Sequence, residues 1–203
     1  MNILVLSPHT DDIEYGCGGS LTKWMREGHN IISIVFSLCE KSIPRQFKKD
    51  VTKEEFITNA RFYSNHYKIF NYPVREFPEY RQEILEDMIK LREYKPDLIL
   101  CPSLNDIHQD HKTIAEEARR AFRCSILSYE LFYTSLNFNP QHYIILSEED
   151  LEDKTRMCQE YKSQISKGKG YTEKEFIYGW AKTRGGQVDK DYAEAFECVR
   201  FVS

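Results

Sequence analysis

Short runs rich in β-branched residues recur along this chain at nearly even intervals, and that rhythm restricts its folds more than any other feature. Ile3 to Leu6, Ile31 to Phe36, Lys68 to Phe70 and Leu98 to Cys101 start 28, 37 and 30 residues apart. That is about the length of a βαβ unit. Between them, apolar residues fall at helical spacing: Leu21, Trp24 and Met25, then Phe56, Ala60 and Tyr63, then Ile84, Met88 and Leu91. Gly18-Gly19-Ser20 leads into the first of these helices and Gly28 stops it. Thr52-x-x-Glu55 predicts a capping box for the second, and Pro96 ends the third. The pattern predicts an α/β, Rossmann-like three-layer fold with a mostly parallel sheet. Further on, a helix is expected from Lys112 to Phe122, strands at Ile126 to Leu131 and Tyr143 to Leu146, a helix from Ser147 to Tyr161 and a turn at Lys167-Gly-Lys-Gly170. The C-terminal third reads as decoration on the same sheet. With no internal repeat, low-complexity tract or long linker, residues 1–203 are expected to form a single domain.

Composition removes several classes of function. A net charge of -4 with 28 basic against 32 acidic residues gives no electrostatic reason to bind nucleic acid or anionic lipid. Hydrophobic residues at 41% suffice for a core, yet no apolar run approaches the roughly 20 residues of a membrane span. The chain enters its first strand at once, without a basic n-region, so export is not expected. The six cysteines are dispersed and form no C-x-x-C, and they read as reduced thiols in a cytoplasmic protein.

Two stretches are dense in metal-type ligands. Ser7-Pro-His9-Thr-Asp11-Asp12-Ile-Glu14 follows the first strand and Asn105-Asp-Ile-His108-Gln-Asp110-His111 follows the fourth. In doubly wound sheets, ligands gather outside the carboxyl ends of strands where the winding reverses, and strands one and four commonly meet there. The metal site is therefore expected at the C-terminal ends of those two strands. His9 and Asp12, three apart in a turn, can face one centre, and an imidazole from the second loop completes the set. His9, Asp12 and His111 then make two histidines and one carboxylate, which suits catalytic Zn2+ and is compatible with Fe2+ or another divalent metal. Chance supplies only about 0.01 His-x-Asp-His motifs in a chain with six His among 203 residues. A carboxylate pair after a strand is otherwise commonly a helix cap. Gly16-Cys-Gly-Gly19 lacks the spacing of a dinucleotide loop, and His29, His66 and His142 have no ligand-spaced partner.

His9-Thr-Asp-Asp-Ile-Glu-Tyr-Gly-Cys-Gly-Gly19, followed by His108-Gln-Asp-His111 and Tyr192-Ala-Glu-Ala-Phe196, resembles the LmbE/PIG-L family of zinc-dependent N-acetylglucosaminyl deacetylases. The resemblance implies a hydrolase that takes the acetyl group from a small N-acetylated sugar conjugate, and it is compatible with a homo-oligomer. It makes His9, Asp12 and His111 the metal ligands and Asp11 the general base. His108 would stabilise the oxyanion or assist proton transfer, and Asp110 would orient an imidazole. Where the family usually has Pro, this chain has Thr10 and Gln109, neither of them a proposed ligand. A metallophosphoesterase and a metal-binding, non-catalytic relative are the alternatives. Arg184 with Gly185 and Gly186, Ser163 with Gln164, and Tyr72, Phe77 and Tyr80 are candidate walls of a sugar pocket.

Overall fold

The computed structural model describes residues 1–202. Strands β1 (Asn2–Ser7), β2 (Asn30–Val35), β3 (His66–Ile69), β4 (Leu98–Pro102), β5 (Ser125–Tyr129), β6 (His142–Leu146) and β7 (Tyr192–Arg200) form one sheet in the order β3-β2-β1-β4-β5-β7-β6. The first five in that order run parallel, and β7 lies antiparallel between β5 and β6. This is the mostly parallel α/β sheet that the strand rhythm predicts, with the C-terminal third added at one edge.

Both faces of the parallel part are covered, so β1, β2 and β4 read as unbroken apolar runs rather than alternating ones. Leu4, Leu6, Ile32 and Ile34 face one way, against Ile84 and Met88 of α3 (Arg81–Lys90) and Ile114 and Ala118 of α4 (Gln109–Ala121). Their neighbours Ile3, Val5, Ile31 and Leu100 face the other way. They meet Ile13 and Leu21 of α1 (Asp12–Arg26), Tyr63 of α2 (Val51–Tyr63) and Met157 of α5 (Glu148–Glu160). Among the described residues no helix is long and apolar enough to cross a membrane.

Two local expectations are corrected, and one helix lies where none was expected. The first helix begins at Asp12, ahead of the glycines, and breaks at Cys17, where φ is -144°. The glycines are needed for close approach, since a Cβ at Gly16 would stand 2.4 Å from the buried Tyr129 ring and one at Gly19 2.6 Å from Leu146. Thr52 and Glu55 form no capping box: the Thr52 hydroxyl donates to the Leu38 carbonyl, and Glu55 accepts from Ser163 on α6 (Lys162–Ile165). A true capping box stands instead at Ser147 and Asp150, opening α5. Finally, α7 (Lys174–Gly186) occupies a stretch whose glycines conceal it in the sequence.

Candidate metal centre

Strands β1 and β4 are neighbours in register, Ile3 beside Leu98 and Val5 beside Leu100, so the loops leaving their carboxyl ends converge. The winding reverses between them, which opens a crevice there. The first loop runs directly into α1 and the second into α4, and each presents its ligand-rich stretch over the sheet. Asp11 stands at the N-cap of α1, but its side chain makes no capping hydrogen bond and remains available to the crevice. His108 does cap, its Nδ1 accepting from the Asp110 N–H at 3.2 Å. That bond leaves the proton of the neutral ring on Nε2.

His9, Asp12 and His111 are buried and meet at one point. His9 Nδ1 lies 3.1 Å from His111 Nε2 and 3.2 Å from Asp12 Oδ2, and the third side of the triangle is 3.4 Å. The far side of each ring faces a carboxylate: His9 Nε2 is 3.0 Å from Asp110 Oδ2, and His111 Nδ1 is 2.9 Å from Asp106 Oδ2. A neutral ring would donate its proton to that carboxylate and turn its lone pair inward, the state that a bound cation selects. Burial lowers the His9 pKa, but its neighbours, Asp12 and Asp110 among them, outweigh it and raise it well above the usual imidazole value. Three such lone pairs around one point would suit a cation. Zinc with N and O ligands at about 2.0–2.1 Å in a tetrahedron spaces its ligands about 3.3–3.4 Å apart, and the triangle fits that spacing.

The supporting carboxylates are held in turn. Asp110 is buried and accepts from the Arg75 N–H at 2.6 Å and the Phe77 N–H at 3.3 Å. Asp106 accepts from Thr134 Oγ1 at 2.8 Å and from the His108 N–H at 2.8 Å. Burial favours the neutral form of Asp12, but the two imidazoles outweigh it and hold the carboxyl below its ordinary range. Asp11 is pushed up to about 6, first by burial and then by the charge of Asp12. Burial, followed by His111 and His9, brings His108 down to about 4. His108 stacks on His111 with centroids 4.4 Å apart, and the ring nitrogens of His9, His108 and His111 lie within 4.8 Å of one another.

All six residues singled out in the sequence, His9, Asp11, Asp12, His108, Asp110 and His111, are thus gathered at this one place. Asp106, the partner of His111, was not given a role from sequence, although it stands in the same acidic loop. Arg75, Lys167 and Lys169 also line the crevice and were not anticipated. The proposed sugar walls fare unevenly. Gln164 lines the crevice, but Ser163 is taken up by Glu55, and Arg184 lines a neighbouring pocket, paired with Glu130. Phe77 is fully buried, with Tyr72 and Tyr80 packed on the same core, because the chain at 77–80 folds inward as a short helical turn under α4.

Known proteins resemble this chain in sequence and in fold. The chain is 28% identical over 177 residues to the uncharacterized deacetylase YaiS of Escherichia coli (strain K12), covering 79% of this chain and 90% of that protein. It superposes on 4-carboxy-2-hydroxymuconate hydratase GalB of Pseudomonas putida KT2440 with a TM-score of 0.82 at 17% identity, covering 100% and 97% of the two chains. For N,N'-diacetylchitobiose deacetylase of Pyrococcus horikoshii the TM-score is 0.75 at 18% identity, covering 97% and 82%. At such identities the two structures share a fold with this chain, and one of them is a hydratase, so shape alone does not select the reaction. The model of the family described as PIG-L, GlcNAc-PI de-N-acetylase, matches residues 4–122, more than half the chain and the span that holds every ligand of the triangle, and the protein belongs to that family.

Proposed function

We propose that residues 1–203 form a single deacetylase domain that uses a divalent metal, Zn2+ in our reading, to remove the acetyl group from an N-acetylglucosamine-type sugar conjugate. The observation that carries this reading is the triangle of ligand-type atoms on His9, Asp12 and His111, 3.1 to 3.4 Å apart, with the two rings backed by Asp110 and Asp106. A cation held there supplies a Lewis acid that polarises an amide carbonyl and acidifies water.

The protein's own groups supply the rest. Asp11, with its pKa near 6, is ionised at neutral pH and still basic enough to take a proton from the attacking water. Its carboxylate caps nothing, so the proton it accepts can pass to the departing amine as the C–N bond breaks. His108 acts in our reading as a neutral donor: its Nδ1 is occupied by the Asp110 N–H, and Nε2–H is free to meet the oxyanion. Burial disfavours the imidazolium form of His108, which supports the neutral donor. The amide yields acetate and a free amine.

The test is amine release from a panel of N-acetylglucosamine conjugates. Activity should vanish with chelator and return with zinc. Asp11→Asn should keep the metal and lower kcat by roughly 10² or more. Turnover that survives complete metal removal, or an Asp11→Asn protein that is fully metallated and as active as wild type, would overturn the mechanism.

A further inference from the structure

Next to the metal crevice lies a second pocket that the deacetylation chemistry leaves unused. Its floor is charged but internally paired. Lys154 Nζ is 2.6 Å from Glu194 and 2.9 Å from the Tyr15 carbonyl. Arg184 holds Glu130 through Nε at 3.0 Å and Nη2 at 2.6 Å, and Trp180 Nε1 donates to the same carboxylate at 3.1 Å. A ligand entering here meets ion pairs that already have their partners, which leaves shape and apolar contact to recognise it.

The rim is aromatic. Phe132 meets Phe176 at 4.4 Å and Trp180 at 4.9 Å, both edge to face, while Phe176 and Trp180 lie parallel to within 7°. Phe132 remains 43% exposed although two rings pack on it. Tyr133 and Tyr171, stacked at 4.7 Å with planes 16° apart, line this pocket on one side and the metal crevice on the other. One stacked ring pair therefore separates the candidate reaction centre from an aromatic surface.

We propose that this pocket is a specificity subsite that takes a flat aromatic group carried on the sugar conjugate. The assignment rests on the deacetylase reading, which places the N-acetyl end of the substrate at His9, Asp12 and His111. The aromatic lining, with Phe132 still partly exposed, favours a planar ring over a flexible chain, because aromatic pairs gain from edge-to-face and offset contact and a ring loses little freedom on binding.

The test compares phenyl, cyclohexyl and methyl glycosides of N-acetylglucosamine, with dissociation constants measured by calorimetry and amine release followed in parallel. The phenyl glycoside should bind about tenfold or more tighter than the methyl one, with cyclohexyl between them. Phe132→Ala, at an exposed rim position away from the ligand triangle, should reduce the phenyl preference to about twofold and leave the methyl glycoside's affinity unchanged. Trp180→Leu should act in the same direction and guards against one variant misfolding. Equal binding of phenyl and methyl glycosides, no binding of either, or a phenyl preference that both variants retain would overturn the subsite. Cyclohexyl binding as tight as phenyl would overturn its aromatic character. A phenyl preference in binding with no amine released from any glycoside would instead remove the deacetylase reading and leave the subsite standing.

Discussion

At the scale of single residues, the proposed centre turns on what lies behind each histidine. With Asp110 and Asp106 placed to take the outer protons, His9 and His111 can turn bare nitrogens inward once neutral, since a neutral imidazole carries only one proton. Replacing His111 with Ala should sharply weaken binding of the one divalent ion expected per chain. Asp106→Asn should cost about 10- to 100-fold in metal affinity without touching the ion, and equilibrium dialysis against zinc buffers measures both. The loop that bears His9 is held by a second device. Where the family resemblance implies a proline, Thr10 is buried and its carbonyl accepts from the hydroxyl of Tyr161, 151 residues away. Tyr161→Phe leaves that buried carbonyl without the donor and should destabilise the fold by about 1–3 kcal/mol, read as a lower midpoint in urea. At the other departure, Gln109 occupies the first position of α4, where proline is well tolerated, and its side chain instead donates to the Arg75 carbonyl at 3.2 Å.

At the scale of elements, α1 is built in two parts. Its first part begins at Asp12 and its second begins after the break at Cys17, where the Glu194 carboxylate from β7 accepts from the Gly19 N–H at 3.0 Å and the Ser20 N–H at 2.7 Å. A side chain distant in sequence thus caps the second part of the helix. The glycines allow this helix to lie against Tyr129, Leu146 and Glu194. Gly16→Ala puts a methyl group into the Tyr129 ring, whose hydroxyl is fixed on the Leu6 carbonyl at 2.8 Å. Overpacking of this kind costs about 1–3 kcal/mol, although alanine is the better helix former. Thermal denaturation of the variant should show the loss, and a variant as stable as wild type would mean that the ring moves aside freely.

For the molecule as a whole, the Lys154–Glu194 pair joins α5, β7 and α1 in a buried contact of 2.6 Å. Burial lowers the Lys154 pKa, but Glu194 outweighs it and the net shift is upward from 10.5. The folded protein therefore binds this proton more tightly than the unfolded chain. The resulting stability is fully present below pH 10.5 and is lost as pH rises through the higher folded value. Denaturant midpoints measured upward from pH 9 should fall for wild type, and this component of the fall should be absent from Lys154→Met/Glu194→Gln. Glu194→Ala alone leaves the buried ammonium without its carboxylate and should cost about 3–5 kcal/mol near neutral pH.

What the sequence determined by itself is the parallel α/β sheet, the place of the crevice and the residues that gather in it. These follow from local causes: β-branched runs at crossover spacing, and acidic, histidine-rich loops placed just after two strands. Tertiary structure decided which atoms face which. Nothing in the spacing shows that Asp110 serves His9, 101 residues away, while Asp106 serves the nearby His111. Thr52-x-x-Glu55 has the local form of a cap, but both side chains are drawn to partners that only packing brings near, Leu38 and Ser163. Helix α7 went unread for the same reason. A Cβ at Gly185 would stand 2.6 Å from the Lys190 carbonyl, so its smallness serves a chain crossing that only the folded chain brings about. Local propensity acts over a few residues, whereas hydrogen-bond pairing and close approach are settled by neighbours that the chain meets only after it has folded.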